Sequence, residues 1–251
     1  MVKQGRLAGG KLWFEEKWRA HLPGGASGIG EATVRVFADE GALMVVVADV
    51  QDDLGNQVAA SIGTHRCTFL HCDVTDEDQV KSLVQSTIYN HGQLDIMFSN
   101  AGILSPAEQT LLELDMSQFE RLFAVIVRGM ALCLKHAARA MVERHVMGRI
   151  VCTSSVLASR GAQRVTDYVM SKHAVLAWVR VNCVSPNGLA TPMTCTTHGN
   201  YLEEVQQIYG RFARLGVLTP QHMADAVLSL MTRRLLPAMN SAVDGRFTYG
   251  K

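Results

Sequence analysis

Gly24-Gly25-Ala26-Ser27-Gly28-Ile29-Gly30, running straight into Glu31-Ala32-Thr33-Val34-Arg35-Val36-Phe37-Ala38, is the stretch that decides the fold. Glycines let a backbone approach a pyrophosphate, and the helix predicted over the second half offers free N–H groups and the positive end of its dipole. Nineteen residues after Gly30, the apolar run Leu43-Met44-Val45-Val46-Val47-Ala48 ends in Asp49. A second parallel strand there places a carboxylate against a ribose. Neither the glycine turn nor Val50-Gln51 carries a basic residue to neutralise an added 2′-phosphate, so the expected cofactor is NAD rather than NADP. Taken singly, a plain loop and a strand-end turn residue are the alternatives, and what decides is the rest of the chain.

Outward from this turn the sequence alternates. Strands are predicted near 43–48, 67–71, 94–99 and 149–154, and helices near 29–40, 52–62, 76–91 and 117–145. Alternation of this kind argues for an α/β fold, a three-layer doubly wound parallel sheet of Rossmann-like form, with ligands at the carboxyl ends of the strands. The stretch 187–218 is long and irregular, with a helix predicted around 201–213. It reads as a substrate lid over the nicotinamide side, a surface excursion being the alternative. At 251 residues and 48% hydrophobic, the chain suits one core, and residues 1–251 are expected to form one dinucleotide-binding catalytic domain.

The chemistry is concentrated in Ser155, Tyr168 and Lys172. A free tyrosine has a pKa near ~10 and is a poor base at neutral pH unless a nearby cation stabilises the phenolate. Residues four apart on a helix share a face, so the ammonium of Lys172 is expected beside the ring of Tyr168. Ser155, thirteen residues before the tyrosine and following a strand, is placed to donate a hydrogen bond to the same substrate oxygen.

Composition narrows the partners. The formal net charge is +1, from 24 basic and 23 acidic residues without a dense basic block, so nucleic acid is not expected and small molecules are. Cys67, Cys72, Cys133, Cys152, Cys183 and Cys195 are scattered without paired ligand spacing, which predicts reduced thiols, no structural metal and a cytoplasmic setting. The absence of an apolar run near twenty residues argues against a membrane span, and the absence of an N-terminal apolar leader argues against secretion.

In this order, Gly24-x-x-x-Gly28-x-Gly30, Asp49, Cys72-Asp73-Val74, Asn100-Ala101-Gly102, Ser155, Tyr168-x-x-x-Lys172 and Pro186-Asn187-Gly188 resemble the short-chain dehydrogenase/reductases, over roughly residues 24 to 230. The likeness is nearest to plant members acting on secondary alcohols of terpenoids and lignans. It implies hydride transfer between a small apolar alcohol or ketone and a nicotinamide, with Tyr168 as general base, Lys172 lowering its pKa and holding the nicotinamide ribose, and Ser155 orienting the substrate. It implies further that Ser27 and Ile29 belong to the cofactor turn and that Asp73 and Val74 flank the adenine. By the same resemblance Asn100, Ala101 and Gly102 close the cofactor floor, and Pro186, Gly188, Leu189 and Thr191 contact the nicotinamide side. A homotetramer or homodimer is implied too. Outside the pattern each of these residues has a plainer reading: Asp73 as the cap of a turn, Asn100 to Gly102 as a strand-ending loop, Pro186-Asn187-Gly188 as a turn.

Four segments depart from that pattern. Where an apolar first strand should precede the turn, the chain has Lys11-Leu-Trp-Phe-Glu-Glu-Lys-Trp-Arg-Ala-His-Leu-Pro23, with five charges. A central parallel strand is buried on both faces, so this predicts either a poorly formed first strand or a substitute such as Leu12-Trp13-Phe14. The Val181-Asn-Cys-Val184 strand follows Lys172 by only nine residues. That is about a dozen fewer than in the family, or roughly 18 Å of helix, so the helix must stop early or the strand must shift. Ile126 stands where the family has an asparagine that holds a proton-relaying water, which predicts slower turnover. Arg233-Arg-Leu-Leu-Pro237 and Val243-Asp-Gly-Arg246 leave the last strand uncertain. Two alternatives therefore stand beside the enzyme: a dinucleotide-binding homologue with impaired catalysis, and a chain that does not fold stably.

Overall fold

The computed structural model describes residues 18–177, 181–189, 191–197, 218–232 and 240–243. Among them run β1 (Arg19–Pro23), α1 (Gly28–Asp39), β2 (Met44–Asp49), α2 (Asp52–Ile62), β3 (Cys67–His71), α3 (Glu77–His91) and β4 (Ile96–Ser99). The second half holds α4 (Met116–Phe123), α5 (Met130–Glu143), β5 (Arg149–Thr153), α6 (Thr166–Leu176), β6 (Asn182–Pro186), α7 (Pro192–Thr197), α8 (Pro220–Thr232) and β7 (Asn240–Val243). The seven strands form one sheet in the order β3-β2-β1-β4-β5-β6-β7, and every pairing is parallel.

Parallel strands need helices on both faces, and the core divides accordingly. Val45 and Val47 point into a cluster shared with Phe37 of α1, Val58 of α2 and Met223, Val227 and Met231 of α8. Met44, Val46 and Ala48, one step out of phase, join Val80, Leu83 and Val84 of α3 with Cys133 and Ala137 of α5. A third cluster brings Leu122, Ile126 and Met130 to Cys152, Cys183 and Val175, with Tyr168 packed on its border. The long helix predicted near 117–145 is observed as α4 and α5 joined by one π turn, Ala124–Gly129.

The first strand corrects the sequence expectation. It is well formed and central, and it is made by Arg19-Ala20-His21-Leu22-Pro23; Leu12–Phe14 lies outside the described residues. Ala20 and Leu22 are buried in the α1 and α8 cluster. Arg19 sits at the strand entrance, where its amide donates to Asp95 Oδ2 (2.8 Å) and its guanidinium pairs with the same carboxylate at 3.5 Å. His21 is fully buried and hydrogen-bonded through Nε2 to Thr87 of α3. Burial, helped by nearby His91, lowers its pKa from 6.5 to about 3, so the ring is neutral at pH 7 and no charge is buried. Pro23 ends the strand, where a missing donor is tolerated, and its carbonyl accepts from Asn100 N (3.0 Å).

Of the two outcomes allowed after Lys172, the helix stops early. Helix α6 ends at Leu176, and β6 lies in regular parallel register with β5, Cys152 opposite Cys183. The uncertain last strand is also present, with Asn240–Val243 pairing along β6. The expected lid is described only as Asn187–Leu189, the short α7 and Leu218, and the helix expected at 201–213 lies outside the described residues. The side chains of five of the six cysteines are described, and all five are free and buried. Among the described residues there is no helix long and apolar enough to cross a membrane, and no cluster of three or more metal-ligating side chains.

Candidate active site

The glycine turn joins the carboxyl end of β1 to α1. Gly24 (φ +79) and Gly28 (φ +57) adopt the left-handed region that only glycine enters without strain. Gly30 is required for a different reason: a Cβ there would collide with the carbonyl oxygen of Gly24. The turn also lies on the loop after β4, since a Cβ on Gly24 would fall 2.6 Å from Ala101 N. Ser27 is the N-cap residue of α1 and makes no side-chain cap, while Ile29 packs against the core. Thr191 reaches the turn from the far side, its Cβ 3.4 Å from where a Cβ on Gly28 would stand.

Asp49 ends β2 facing this turn. Its Oδ2 accepts from Ala26 N (3.1 Å), and its Oδ1 accepts from the amide and side chain of Gln51 (3.1 and 3.2 Å). A carboxylate has about four acceptor sites, so capacity is left for a ligand hydroxyl. The carbonyl of Asp49 accepts from Cys72 N (3.0 Å), which brings Asp73 and Val74 alongside. Asp73 does cap a turn, its Oδ1 accepting from the amide and hydroxyl of Thr75 at 2.9 and 2.8 Å. Val74 is buried against Gly129 of the π turn. A glycine-rich turn, a helix N-terminus without a side-chain cap and a carboxylate one strand away fit a dinucleotide.

Ser155, Tyr168 and Lys172 lie at the carboxyl ends of the neighbouring strands. Ser155 follows β5 and starts a short helical turn, Val156–Ser159, by accepting from Leu157 N (3.1 Å). Its own O–H then remains to be given elsewhere. Tyr168 and Lys172 share a face of α6, with the ammonium nitrogen 5.5 Å from the centre of the phenol ring. Lys172 is 3% exposed and donates to the carbonyl of Thr153 (2.8 Å). Desolvation lowers its pKa from 10.5 to about 8, against the opposing pull of Cys152 and Cys183. Burial pushes the thiols of Cys67 and Cys72 up to about 11 and that of Cys133 up to about 12, so these three are protonated and inert at neutral pH.

Two residues in this network carry a role that motif spacing did not assign. Asn100 donates from its side chain to the carbonyl of Gly24 (2.9 Å), Thr153 donates its hydroxyl to Asn100 Oδ1 (2.8 Å), and Lys172 bonds the Thr153 carbonyl. An unbroken chain therefore runs from the glycine turn to the lysine. Asn100 was expected only as cofactor floor, and Thr153 was not singled out; a hydroxyl at the end of β5 facing an asparagine at the end of β4 is the signal that could have found it.

Around this chain, Pro186 ends β6, Asn187 bonds back to Val243 (3.1 Å), and Gly188 N is held by the Asn187 side chain (2.9 Å). Leu189 is buried in the core cluster. Ile126 is fully buried and lies near Gly102, 3.8 Å from where a Cβ there would stand.

Comparison with known proteins adds to this geometry. Residues 24–245 match the family profile described as "Enoyl-(Acyl carrier protein) reductase". The chain is 51% identical over 228 residues to a (+)-cis,trans-nepetalactol synthase of Nepeta racemosa, covering 84% of this chain and 85% of that one. It is 45% identical over 242 residues to the mitochondrial (-)-isopiperitenol/(-)-carveol dehydrogenase of Mentha piperita, covering 90% and 91%. Among solved structures, a short-chain type dehydrogenase/reductase from Mycobacterium marinum superposes with a TM-score of 0.82 at 28% identity, covering 93% of this chain and 96% of that one.

Proposed function

We propose that this chain, which belongs to the short-chain dehydrogenase/reductase family, is an NAD-dependent oxidoreductase that interconverts a secondary alcohol and its ketone on a small apolar metabolite such as a terpenoid. The observation that carries this reading is the buried ammonium of Lys172 beside the ring of Tyr168. When bound, the nicotinamide supplies the hydride acceptor or donor. Everything else falls to side chains of the protein. Tyr168 removes the proton from the alcohol oxygen, and the ammonium of Lys172 stabilises the phenolate that does so. Ser155 donates its hydroxyl to the same oxygen and fixes the carbon from which hydride leaves. Gly24, Ser27, Gly28, Ile29 and Gly30 hold the pyrophosphate side, and Asp49 holds the adenine ribose. Asp73, Val74, Asn100, Ala101 and Gly102 line the middle, and Pro186, Gly188, Leu189 and Thr191 line the nicotinamide end.

Support for the substrate class comes from the mint relative, whose name states that it dehydrogenates isopiperitenol and carveol. The choice of NAD rests on Asp49, whose charge would oppose a 2′-phosphate. Asp49→Ser is expected to raise NADP use relative to NAD at least tenfold, measured as the ratio of kcat/KM values; an unchanged ratio would remove Asp49 as the selector. The cytosol is the proposed compartment on the strength of reduced thiols; the mint relative is named as mitochondrial, and imaging of the tagged protein decides between the two. A homotetramer or homodimer is proposed from the family resemblance, to be read by light scattering.

The test of the reaction itself is NADH formation over a panel of monoterpenoid alcohols beginning with carveol and isopiperitenol. Tyr168→Phe should lower turnover about 10²- to 10⁴-fold with NAD affinity retained. Turnover that survives this change would overturn the role of Tyr168. Tight NAD binding without any alcohol-dependent NADH would instead favour the impaired homologue.

A further inference from the structure

Asp167 immediately precedes the tyrosine and has no part in the reaction as proposed, yet it is only 1% exposed. A carboxylate that deep is costly unless its oxygens are engaged, and both are. Oδ1 accepts from the Tyr168 amide (2.7 Å), and Oδ2 accepts from the hydroxyl of Ser105. Ser105 belongs to the loop between β4 and α4, so this one side chain ties the start of α6 to a segment 62 residues away.

The tie is part of a larger clamp. Gln109 of the same loop donates from its amide to the Arg164 carbonyl (2.8 Å) and accepts from Thr166 N (2.9 Å), forming an isolated bridge with Val165. The side-chain carbonyl of Gln109 accepts from Asp115 N (3.0 Å), and Asp115 caps α4. Arg164, which leads into α6, has a left-handed φ of 67, uncommon in a non-glycine residue. Between loop and helix remains a small cavity bounded by Leu104, Ser105, Gln109, Asp167 and Tyr168. Apolar contact is incomplete where the tyrosine begins its helix, and polar links hold the gap.

We propose that Asp167 is a positioning residue: through Ser105 it fixes the first turn of α6 against the β4–α4 loop and thereby sets where the phenol of Tyr168 stands in the cleft. The inference rests on the reaction proposed above. Displacement of a reacting group by about 1 Å costs up to about 10²-fold in rate, so the link governs the chemical step more than ligand binding.

The variants that test it are Asp167→Ala, Asp167→Asn, Ser105→Ala and the Asp167→Ala/Ser105→Ala pair, assayed with NAD and the panel alcohol of highest turnover. Asp167→Ala should lower kcat by about 10- to 100-fold, with NAD affinity and the alcohol KM within a few-fold of wild type. Asparagine keeps an acceptor for the Tyr168 amide and a polar partner for Ser105, so Asp167→Asn should recover most of that loss. Ser105→Ala should lower kcat in the same direction, and the double variant should cost little more than Asp167→Ala alone, because both changes break one link. Wild-type kcat in both alanine variants would overturn the inference, as would an asparagine variant no better than alanine. If Asp167→Ala does not fold, Ser105→Ala and Asp167→Asn carry the test. Tyr168→Phe is run beside them: survival of turnover there sinks the reading underneath, whereas its loss together with wild-type alanine variants sinks only the role of Asp167.

Discussion

Lys172 holds its proton only up to about pH 8, because burial takes its ammonium out of water. The base proposed at Tyr168 works as phenolate and needs that ammonium beside it. Alcohol oxidation is therefore expected to fall as pH rises through about 8, where the cation is lost, and the alkaline limb of kcat/KM against pH measures this. Lys172→Arg retains charge at every accessible pH, so it should remove that limb even though its planar head lowers the rate. Gly30 offers an independent check on the cofactor turn. Any Cβ there meets the Gly24 carbonyl, so Gly30→Ala must displace the turn itself. NAD affinity should drop at least tenfold by calorimetry; an unaltered affinity would mean that the turn is not where the pyrophosphate lies.

Strand β1 is the element in which sequence and structure part company. Its location could have been found by counting back from Gly24, since a strand must feed the glycine turn directly. The five charges from Lys11 to Arg19 concealed it, because four of them precede the strand and the fifth, Arg19, stands at its entrance beside Asp95. His21 escaped a pattern based on apolarity, because a neutral imidazole bonded to Thr87 is tolerated where a cation is not. By contrast β2, α2, β3 and β5 were legible, since short apolar or amphipathic stretches bounded by Asp or Gly leave little choice. At the site, the Tyr168 and Lys172 spacing carried its geometry in full, whereas the Ser105 to Asp167 and Asn100 to Thr153 links join residues 62 and 53 apart and leave no local signal. The buried histidine has a thermodynamic consequence. Its folded pKa of about 3 lies below the unfolded 6.5, so the unfolded chain binds the extra proton. The contribution of neutral His21 is complete above about pH 6.5 and is lost as pH falls toward about 3, amounting to about 2 kcal/mol at pH 5. Urea midpoints of wild type and His21→Val between pH 7 and 4 are the measurement: the wild-type midpoint should fall more steeply. Parallel slopes would show that another group carries the acid sensitivity.

At the scale of the molecule, the shortened α6 and the irregular lead-in raised the possibility of a chain that does not fold stably; the sheet is continuous from β3 to β7, and its core is filled on both faces. Cofactor binding should show this as cooperative behaviour. At 100 times its dissociation constant, NAD stabilises the folded state by about 2.7 kcal/mol, a rise in Tm of roughly 5 to 10 °C for a domain of this size. A single, sharpened melting transition is the expected scan, and no shift at saturating NAD would count against a dinucleotide site. The hydrogen-bonded path from Gly24 through Asn100 and Thr153 to Lys172 bears on how such a protein diversifies. Its length is set by the stagger of β4 against β5, Ser99 facing Cys152, and by the turns that directly follow β1 and β4. Loops on the substrate side can therefore change in sequence without retuning the gauge that keeps the cofactor turn and the proton carrier in step.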